Sequence, residues 1–137
     1  MKGKLFVIEG VDGSGKATQT DLLYQALQNE GKTVRKISFP NYDSPSSSLI
    51  KMYLNGEFGT DPQAVNAYAT SVFFAVDRFA SFRTDWHSFY EDGGIIIADR
   101  YVTSNLVHQA GKIENTAEKE RYIQWLSHLE YDIFGLP

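Results

Sequence analysis

The sequence predicts an α/β fold in which a parallel sheet lies between two layers of helices. Two short apolar runs, residues 4–9 and 94–99, lack polar alternation, which is typical of strands buried on both faces of a sheet. A third segment, residues 33–39, is rich in β-forming residues and ends before a proline. Helical patterns separate the three strands, and this alternation indicates parallel strands joined by right-handed crossovers.

The first helix is predicted over residues 16–30, directly after a glycine-rich loop. Its apolar residues recur at helical spacing, and Gly31 provides a C-terminal stop. A second, short helix is predicted over residues 49–54 and is closed by Asn55-Gly56. The apolar positions of the first helix are Leu22, Leu23, Ala26 and Leu27.

A long helix is predicted from Asp61 to about Tyr90. Asp61-Pro62 has the form of an N-cap followed by proline at the first helical position. The last helix is predicted to begin at Thr116. Its predicted inward face consists of Ile123, Leu126 and Leu129.

Composition narrows the functional classes. A length of 137 residues predicts one domain, residues 1–137, with a sizeable core. Thirteen basic and seventeen acidic residues give a net charge of −4, so no general affinity for nucleic acid is expected. The absence of cysteine excludes disulfides, thiolate metal sites and cysteine nucleophiles. No apolar run is long enough for a signal peptide or a membrane span, so we expect a cytoplasmic protein without membrane partners.

The loop after the first strand has the spacing G-x-x-x-x-G-K, with Gly10, Gly15 and Lys16 at the fixed positions. Glycines let backbone N–H groups converge on a phosphate, and the helix N-terminus adds positive potential. Lys16 is therefore predicted to contact the β- and γ-phosphates of a nucleotide. A plain turn between strand and helix is the alternative. The predicted ATP-binding residues are Gly10, Val11, Asp12, Gly13, Ser14, Gly15, Lys16, Ala17 and Thr18.

Three positions bear on a magnesium site. Ala17 stands where this motif normally places a Ser or Thr that binds Mg²⁺, and Thr18 offers a hydroxyl one residue later. Asp99 ends the strand at 94–99 and supplies the acidic residue that such a site needs, its alternative role being to cap the next helix. These features predict a P-loop nucleotide-binding protein. An Asn-Lys-x-Asp guanine motif is absent, which argues against a GTPase switch.

Three further blocks follow the phosphate loop: FPNY at 39–42, FAVDR at 74–78 and DRYVTSN at 99–105. With GVDGSGK they make the chain resemble the thymidylate kinases, which phosphorylate dTMP to dTDP with ATP. The resemblance implies a P-loop kinase of nucleoside monophosphate kinase type that uses Mg²⁺ with ATP and forms a homodimer. It also implies that C-terminal strands, an arginine-bearing lid and an adenine-side loop are missing from these residues, so that phosphoryl transfer by this chain is very slow.

The strand order that the resemblance implies supports this expectation of a truncated domain. The first strand would lie between the third strand and a later one. With three strands alone it would lie at an edge, although residues 5–8 are too apolar for an edge strand.

On the base side, the resemblance implies that Phe74 stacks on thymine and that Arg78, one helical turn later, contacts a base carbonyl. Asn105 would read the N3 edge, and His108 replaces an aromatic residue that packs near the sugar. Phe73 is the alternative stacking residue. The alternative for Arg78 is a surface residue paired with Asp77 or Asp85. The alternative for Asn105 is a residue that caps a helix or closes a turn.

On the phosphate side, the resemblance implies that Arg100 holds the monophosphate with help from Tyr42. Asp12 would meet the sugar 3′-hydroxyl or the metal, and Asp99 would hold Mg²⁺ or orient the acceptor. Lys16, Arg100, Asp12 and Asp99 are thus the predicted catalytic residues. The remaining residues of the predicted acceptor pocket are Phe39, Pro40, Ser104 and Gln109.

Two expectations concern assembly and substrate. Residues 62–90 carry more aromatic side chains than one pocket needs, which favours a helix-packed homodimer over a central helix buried on several sides. These aromatic residues are Tyr68, Phe73, Phe79, Phe82, Trp86 and Phe89. The alternatives for function are a kinase of another nucleoside monophosphate or of a deoxynucleoside, and a non-catalytic nucleotide-binding module, which Ala17 would fit.

Overall fold

In the computed structural model, which describes all of residues 1–137, three strands form one parallel sheet. The strand order is β1-β3-β2, and Ile8 and Ser38 both lie in register with Asp99. The carboxyl ends of all three strands therefore meet at one edge of the sheet, and the predicted parallel arrangement is confirmed. The strands are β1 (Lys4–Ile8), β2 (Val34–Ser38) and β3 (Ile95–Asp99).

The α-helices are α1 (Lys16–Asn29), α2 (Ser48–Leu54), α3 (Ala67–Ser81), α4 (His87–Glu91), α5 (Val102–Ala110) and α6 (Thr116–Ser127). The β1–α1–β2 and β2–α3–β3 connections cross the sheet in opposite directions, so right-handed crossovers put α1 and α3 on opposite faces. Ile96 and Ala98 pack against Phe82 and Trp86 in the main core. Ile97 is also fully buried and, by strand alternation, faces the other layer. The predicted three-layer fold is confirmed.

The prediction that a long helix starts at Asp61 is wrong. Helix α3 begins at Ala67, after an N-cap at Asn66 whose side chain accepts the N–H three residues later at 2.9 Å. The Asp61 carboxylate instead accepts the N–H of Gln63, which makes Asp-Pro a turn here rather than a helix start. The helix is also interrupted, since Phe82–Trp86 form a π-helical turn before α4.

Of the six aromatic side chains expected on the surface, two are buried, three are half-buried and one is exposed. Phe82 and Trp86 belong to the main core, and Tyr68 packs on aromatic rings of α6. Phe73 contacts Phe58, with ring centroids 5.7 Å apart. Among the predicted residues only Phe79 is exposed, with 37% of its surface accessible. The segment is therefore packed on several sides within the chain.

The inward face of α6 is also different from the prediction. Tyr122 and Leu126 are fully buried in a second apolar cluster, and Leu129 packs against it. Ile123 is exposed. The spacing of four and three residues keeps the buried positions on one stripe, and Ile123 lies one residue outside it.

Strand β1 is not buried on both faces as predicted, because it lies at the edge of the sheet and pairs with β3 alone. Phe6 and Val7 are exposed, and so is Leu22 on α1. No helix of the molecule is both long enough and apolar enough to cross a lipid bilayer.

Candidate active site

A cavity of about 620 Å³ lies at the edge where the three strands end. Ser38 and Asp99, the last residues of β2 and β3, line it together with Lys16. Open parallel α/β sheets bind ligands at the carboxyl ends of their strands. The strand alignment thus explains why residues from distant parts of the sequence reach one cavity.

The phosphate loop opens helix α1 at one end of this cavity. Gly13 and Gly15 have φ values of 79° and 89°, a region that favours glycine. No side chain caps the N-terminus of α1, so its first N–H groups remain available to an anion. The Lys16 ammonium lies 2.5 Å from the Asp99 carboxylate, and both side chains are largely buried. The loop therefore has the backbone and the cation that phosphate binding requires.

Arg100 lies directly after β3 in a strained conformation. Its φ of 68° makes it the one non-glycine residue of the chain in the left-handed region. Its N–H donates to the Ile8 carbonyl at 3.1 Å, and its guanidinium donates to the Asp12 carboxylate at 2.7 Å. The end of β3 is thus joined to both the end of β1 and the phosphate loop.

Glu9 is a site-supporting residue that the sequence reasoning missed. Its carboxylate accepts the backbone N–H groups of Tyr101 at 3.0 Å and Ser104 at 3.2 Å, and also the Ser104 hydroxyl. These contacts satisfy the N-terminus of α5, where a negative charge is favourable. Glu9, rather than Asp99, therefore caps this helix. A carboxylate directly after an apolar strand was the available signal.

Helix α3 contributes an aromatic side chain to the wall of the cavity. Phe74 lines the cavity, whereas Phe73 packs on Phe58 outside it. The choice between the two phenylalanines, which the sequence left open, is made by tertiary packing. Arg78 lies one turn after Phe74 and lines the same cavity.

Arg78 is buried and is not the surface residue considered as an alternative. Its Nε and Nη2 donate to the two carboxylate oxygens of Glu130 at 2.5 and 2.8 Å. Burial raises the pKa of Glu130, while Arg78 opposes that shift. Asp77 and Asp85 bind other groups. Glu130 is 52 residues away in the π-helical turn His128–Ile133, and no local pattern marks it.

Asp77 holds the FPNY loop against α3. One of its carboxylate oxygens accepts the Asn41 N–H at 2.8 Å, and the other accepts the Ser46 hydroxyl at 2.6 Å. Phe39 is buried in the core, while Tyr42 is half-exposed at the cavity. The Phe39–Pro40 peptide bond is cis. The sequence reasoning gave Asp77 no role beyond a surface pair, which the structure does not contain.

Two buried amides of α5 offer unpaired acceptors to the cavity. Asn105 donates through Nδ2 to the Ser71 carbonyl at 3.1 Å, so its Oδ1 has no partner, and neither does Oε1 of Gln109. The Ser71 hydroxyl is held by Tyr122 at 2.5 Å, and burial raises the pKa of Tyr122 to about 12. Asn105 neither caps a helix nor closes a turn. His108 is exposed at the cavity rim.

The acidic residues proposed for a metal are few and already paired. Asp99 binds Lys16, and Asp12 binds Arg100. No group of three or more His, Asp or Glu side chains could hold an ion by itself. One or two carboxylates with phosphate oxygens and water are what Mg²⁺ uses in phosphate-transfer sites, so these residues fit that ion. Ala17 lines a second, small cavity beside Asp99.

Comparison with known proteins agrees with this geometry. A family model described as thymidylate kinase matches residues 8–134. A thymidylate kinase of Mycobacterium tuberculosis is 35% identical over 135 residues, covering 97% of this chain and 61% of that protein. A probable thymidylate kinase of Pyrococcus horikoshii is 33% identical over 109 residues, covering 80% of this chain and 53% of that protein.

A solved thymidylate kinase structure from Candida albicans superposes with a TM-score of 0.70 at 27% identity. The match covers 92% of this chain and 56% of that one. The chain therefore spans between about half and three fifths of the length of the relatives it matches.

Proposed function

The chain belongs to the thymidylate kinase family, and we propose that the protein transfers a phosphoryl group from ATP to dTMP. One observation carries this proposal. A single cavity is lined by the phosphate-loop lysine and Arg100 and also by Phe74 and the buried Arg78. Such a cavity can hold a nucleotide by its phosphate and its base at once, which positions the acceptor for transfer.

The donor side is built for a polyphosphate. The glycine backbone and the open N-terminus of α1 supply N–H donors, and Lys16 supplies a mobile positive charge. Bound ATP would take Lys16 from Asp99. Phosphoryl transfer needs positioning and charge compensation rather than covalent help from the protein.

The acceptor phosphate would bind near Arg100, whose guanidinium lies beside the phosphate loop. Tyr42 is half-exposed over the same space. Because the acceptor is already a phosphate anion, the transfer requires no strong general base, and none is proposed.

The base would lie against Phe74 in the cavity. Arg78 offers donors to a carbonyl oxygen, and Asn105 and Gln109 offer acceptors to an N–H group. Thymine presents both a carbonyl oxygen and the N3–H on one edge. This complementarity supports thymine over adenine and cytosine, which carry an amino group in place of the carbonyl oxygen.

Asp99 and Asp12 would hold Mg²⁺, mainly through water and the phosphate oxygens. The ion would offset negative charge on the β- and γ-phosphate oxygens. Asp99 would then exchange its contact with Lys16 for this role.

We also propose that two copies of the chain associate. Phe79 is exposed and packs on Phe134, with ring centroids 4.9 Å apart, and the neighbouring Ile133 is exposed as well. This apolar surface supports a homodimer. Light scattering at micromolar concentration should give twice the mass of the chain, and a monomeric mass would contradict the proposal.

Calorimetric titration with dTMP, dCMP and dGMP tests the acceptor, and dTDP formation from ATP and dTMP with Mg²⁺ tests the activity. We expect the tightest binding for dTMP. Binding of dGMP or dCMP in preference to dTMP would overturn the thymidylate assignment. ATP binding with no dTDP at any enzyme concentration would overturn transfer by this chain.

A further inference from the structure

The ion pair between Arg78 and Glu130 is the most buried one in the molecule. The exposed fractions of the two side chains are 3% and 0%. Glu130 occupies the Nε donor and one Nη2 donor of the guanidinium. A guanidinium carries five N–H donors in a fixed plane, so three remain. No other protein group accepts them, and Arg78 lines the cavity.

Stability does not account for this pair. Burial raises the pKa of Glu130 despite the neighbouring guanidinium, so ionisation of this carboxyl is less favourable in the folded protein than in the unfolded chain. Buried ion pairs often add no stability over neutral groups of similar shape. Two parallel hydrogen bonds do, however, fix the plane and rotation of an arginine side chain that is otherwise flexible.

Building on the proposed function, we propose that Glu130 is a positioning residue that determines base specificity. By fixing the guanidinium of Arg78, it directs the remaining N–H donors to the carbonyl oxygen at position 4 of thymine. Cytosine carries an amino group at that position, which also donates. Two donors would then face each other in a buried site, which disfavours cytosine.

The location of Glu130 suits this role. It lies in the π-helical turn His128–Ile133 after α6, and so approaches Arg78 from a different element than the helix that carries the arginine. Asn105, which would meet the adjacent N3–H, is fixed by Ser71 in the same way. Both base-contacting groups are thus held by partners outside the cavity.

Two variants break the paired hydrogen bonds, one with the negative charge kept and one with it removed. Glu130→Asp keeps the negative charge beside Arg78 but is one methylene shorter, so it cannot form both hydrogen bonds with the same geometry. Glu130→Gln keeps the shape but removes the charge and replaces one acceptor oxygen with an NH₂ donor, so only one of the two hydrogen bonds can form. The matched control is Asp85→Asn, because Asp85 forms an exposed pair with Arg35 at 2.6 Å and does not line the cavity.

We expect both Glu130 variants to bind dTMP about tenfold or more weakly, as for loss of a charge-assisted contact, while dCMP and ATP binding stay unchanged. The ratio of dTMP to dCMP affinity should therefore fall, and Asp85→Asn should leave it unchanged. In an Arg78→Ala background, Glu130→Gln should add nothing. An unchanged ratio, or equal losses for dTMP, dCMP and ATP, would overturn the inference.

The Nε–H resonance of Arg78 gives a readout that needs no nucleotide. It should exchange slowly with solvent in the native protein and quickly in both Glu130 variants, and an unchanged exchange rate would overturn the positioning role. If the native protein shows slow exchange but prefers dCMP or dGMP over dTMP, the proposed function fails, while the positioning of Arg78 by Glu130 stands. If it prefers dTMP with an unaltered ratio in the variants, the inference fails and the function stands.

Discussion

Replacing Arg100 with alanine or with glycine separates its side-chain function from its backbone strain. Both changes remove the guanidinium, so both lose the contact proposed for the dTMP phosphate. A hydrogen bond to a charged group contributes about 1.5–3 kcal/mol, so we expect dTMP affinity to fall roughly 10- to 100-fold in each variant. Thymidine, which lacks the phosphate, should bind the two variants and the native chain equally well.

The stabilities of the two variants should differ, because Arg100 has a φ of 68°. Its ion pair with Asp12 contributes little, since the Asp12 side chain is 95% exposed and such pairs contribute at most about 1 kcal/mol. Alanine keeps the left-handed strain of about 1–2 kcal/mol. Glycine removes that strain but loses roughly 0.4–1 kcal/mol through the greater freedom of the unfolded chain. Arg100→Gly should therefore be about 0.5–1 kcal/mol more stable than Arg100→Ala.

Calorimetry with dTMP and thymidine measures the binding effect, and urea denaturation measures the difference in stability. Weaker binding of thymidine to the same extent as dTMP would show that Arg100 supports the whole cavity rather than the phosphate. A glycine variant less stable than the alanine variant would refute the strain argument.

Lys16→Ala should weaken ATP binding at least tenfold, because it removes a cation from the phosphate loop. The control Lys36→Ala, which breaks an exposed pair with Asp21, should leave ATP binding unchanged. Equal ATP titration curves for the two variants would contradict this prediction. Phe74→Ala should cost about 1–3 kcal/mol of dTMP binding through lost stacking, and Phe73→Ala, which faces Phe58, should leave binding unchanged when both are measured by calorimetry. Burial raises the pKa of Glu130 above its unfolded value of 4.5. The free energy of unfolding of the native chain, compared with that of Glu130→Gln, should therefore be highest below pH 4.5 and fall as pH rises through the folded pKa. Urea titrations that show the opposite slope would contradict this.

The elements that follow from local pattern were predicted well. The strands β1 and β3 and the start of α1 after Gly15 are specified by continuous apolar runs and glycine spacing, which need no knowledge of distant residues. The start of α3 was misplaced because Asp61-Pro62 fits a turn as well as a helix start. Asn66 supplied the actual cap.

The supporting carboxylates of the site could not be predicted, because each acts on a partner far along the chain. Glu9 caps a helix more than 90 residues later, and Glu130 holds an arginine 52 residues earlier. A buried carboxylate is specified by the group it meets, and that pairing exists only in the folded chain. The choice of Phe74 over Phe73 has the same origin.

The contacts of Asp77 fix the distance between the two parts of the cavity that the base and the phosphate would contact. This carboxylate sits on α3 between Phe74 and Arg78, and its two oxygens tie the loop that carries Tyr42 to that helix. Under the proposed function, the surfaces for the base and for the phosphate therefore belong to one rigid body. A nucleotide can contact both surfaces only if the distance between its base and its phosphate matches the distance between them. The cavity would therefore select for that distance without any contact to the sugar.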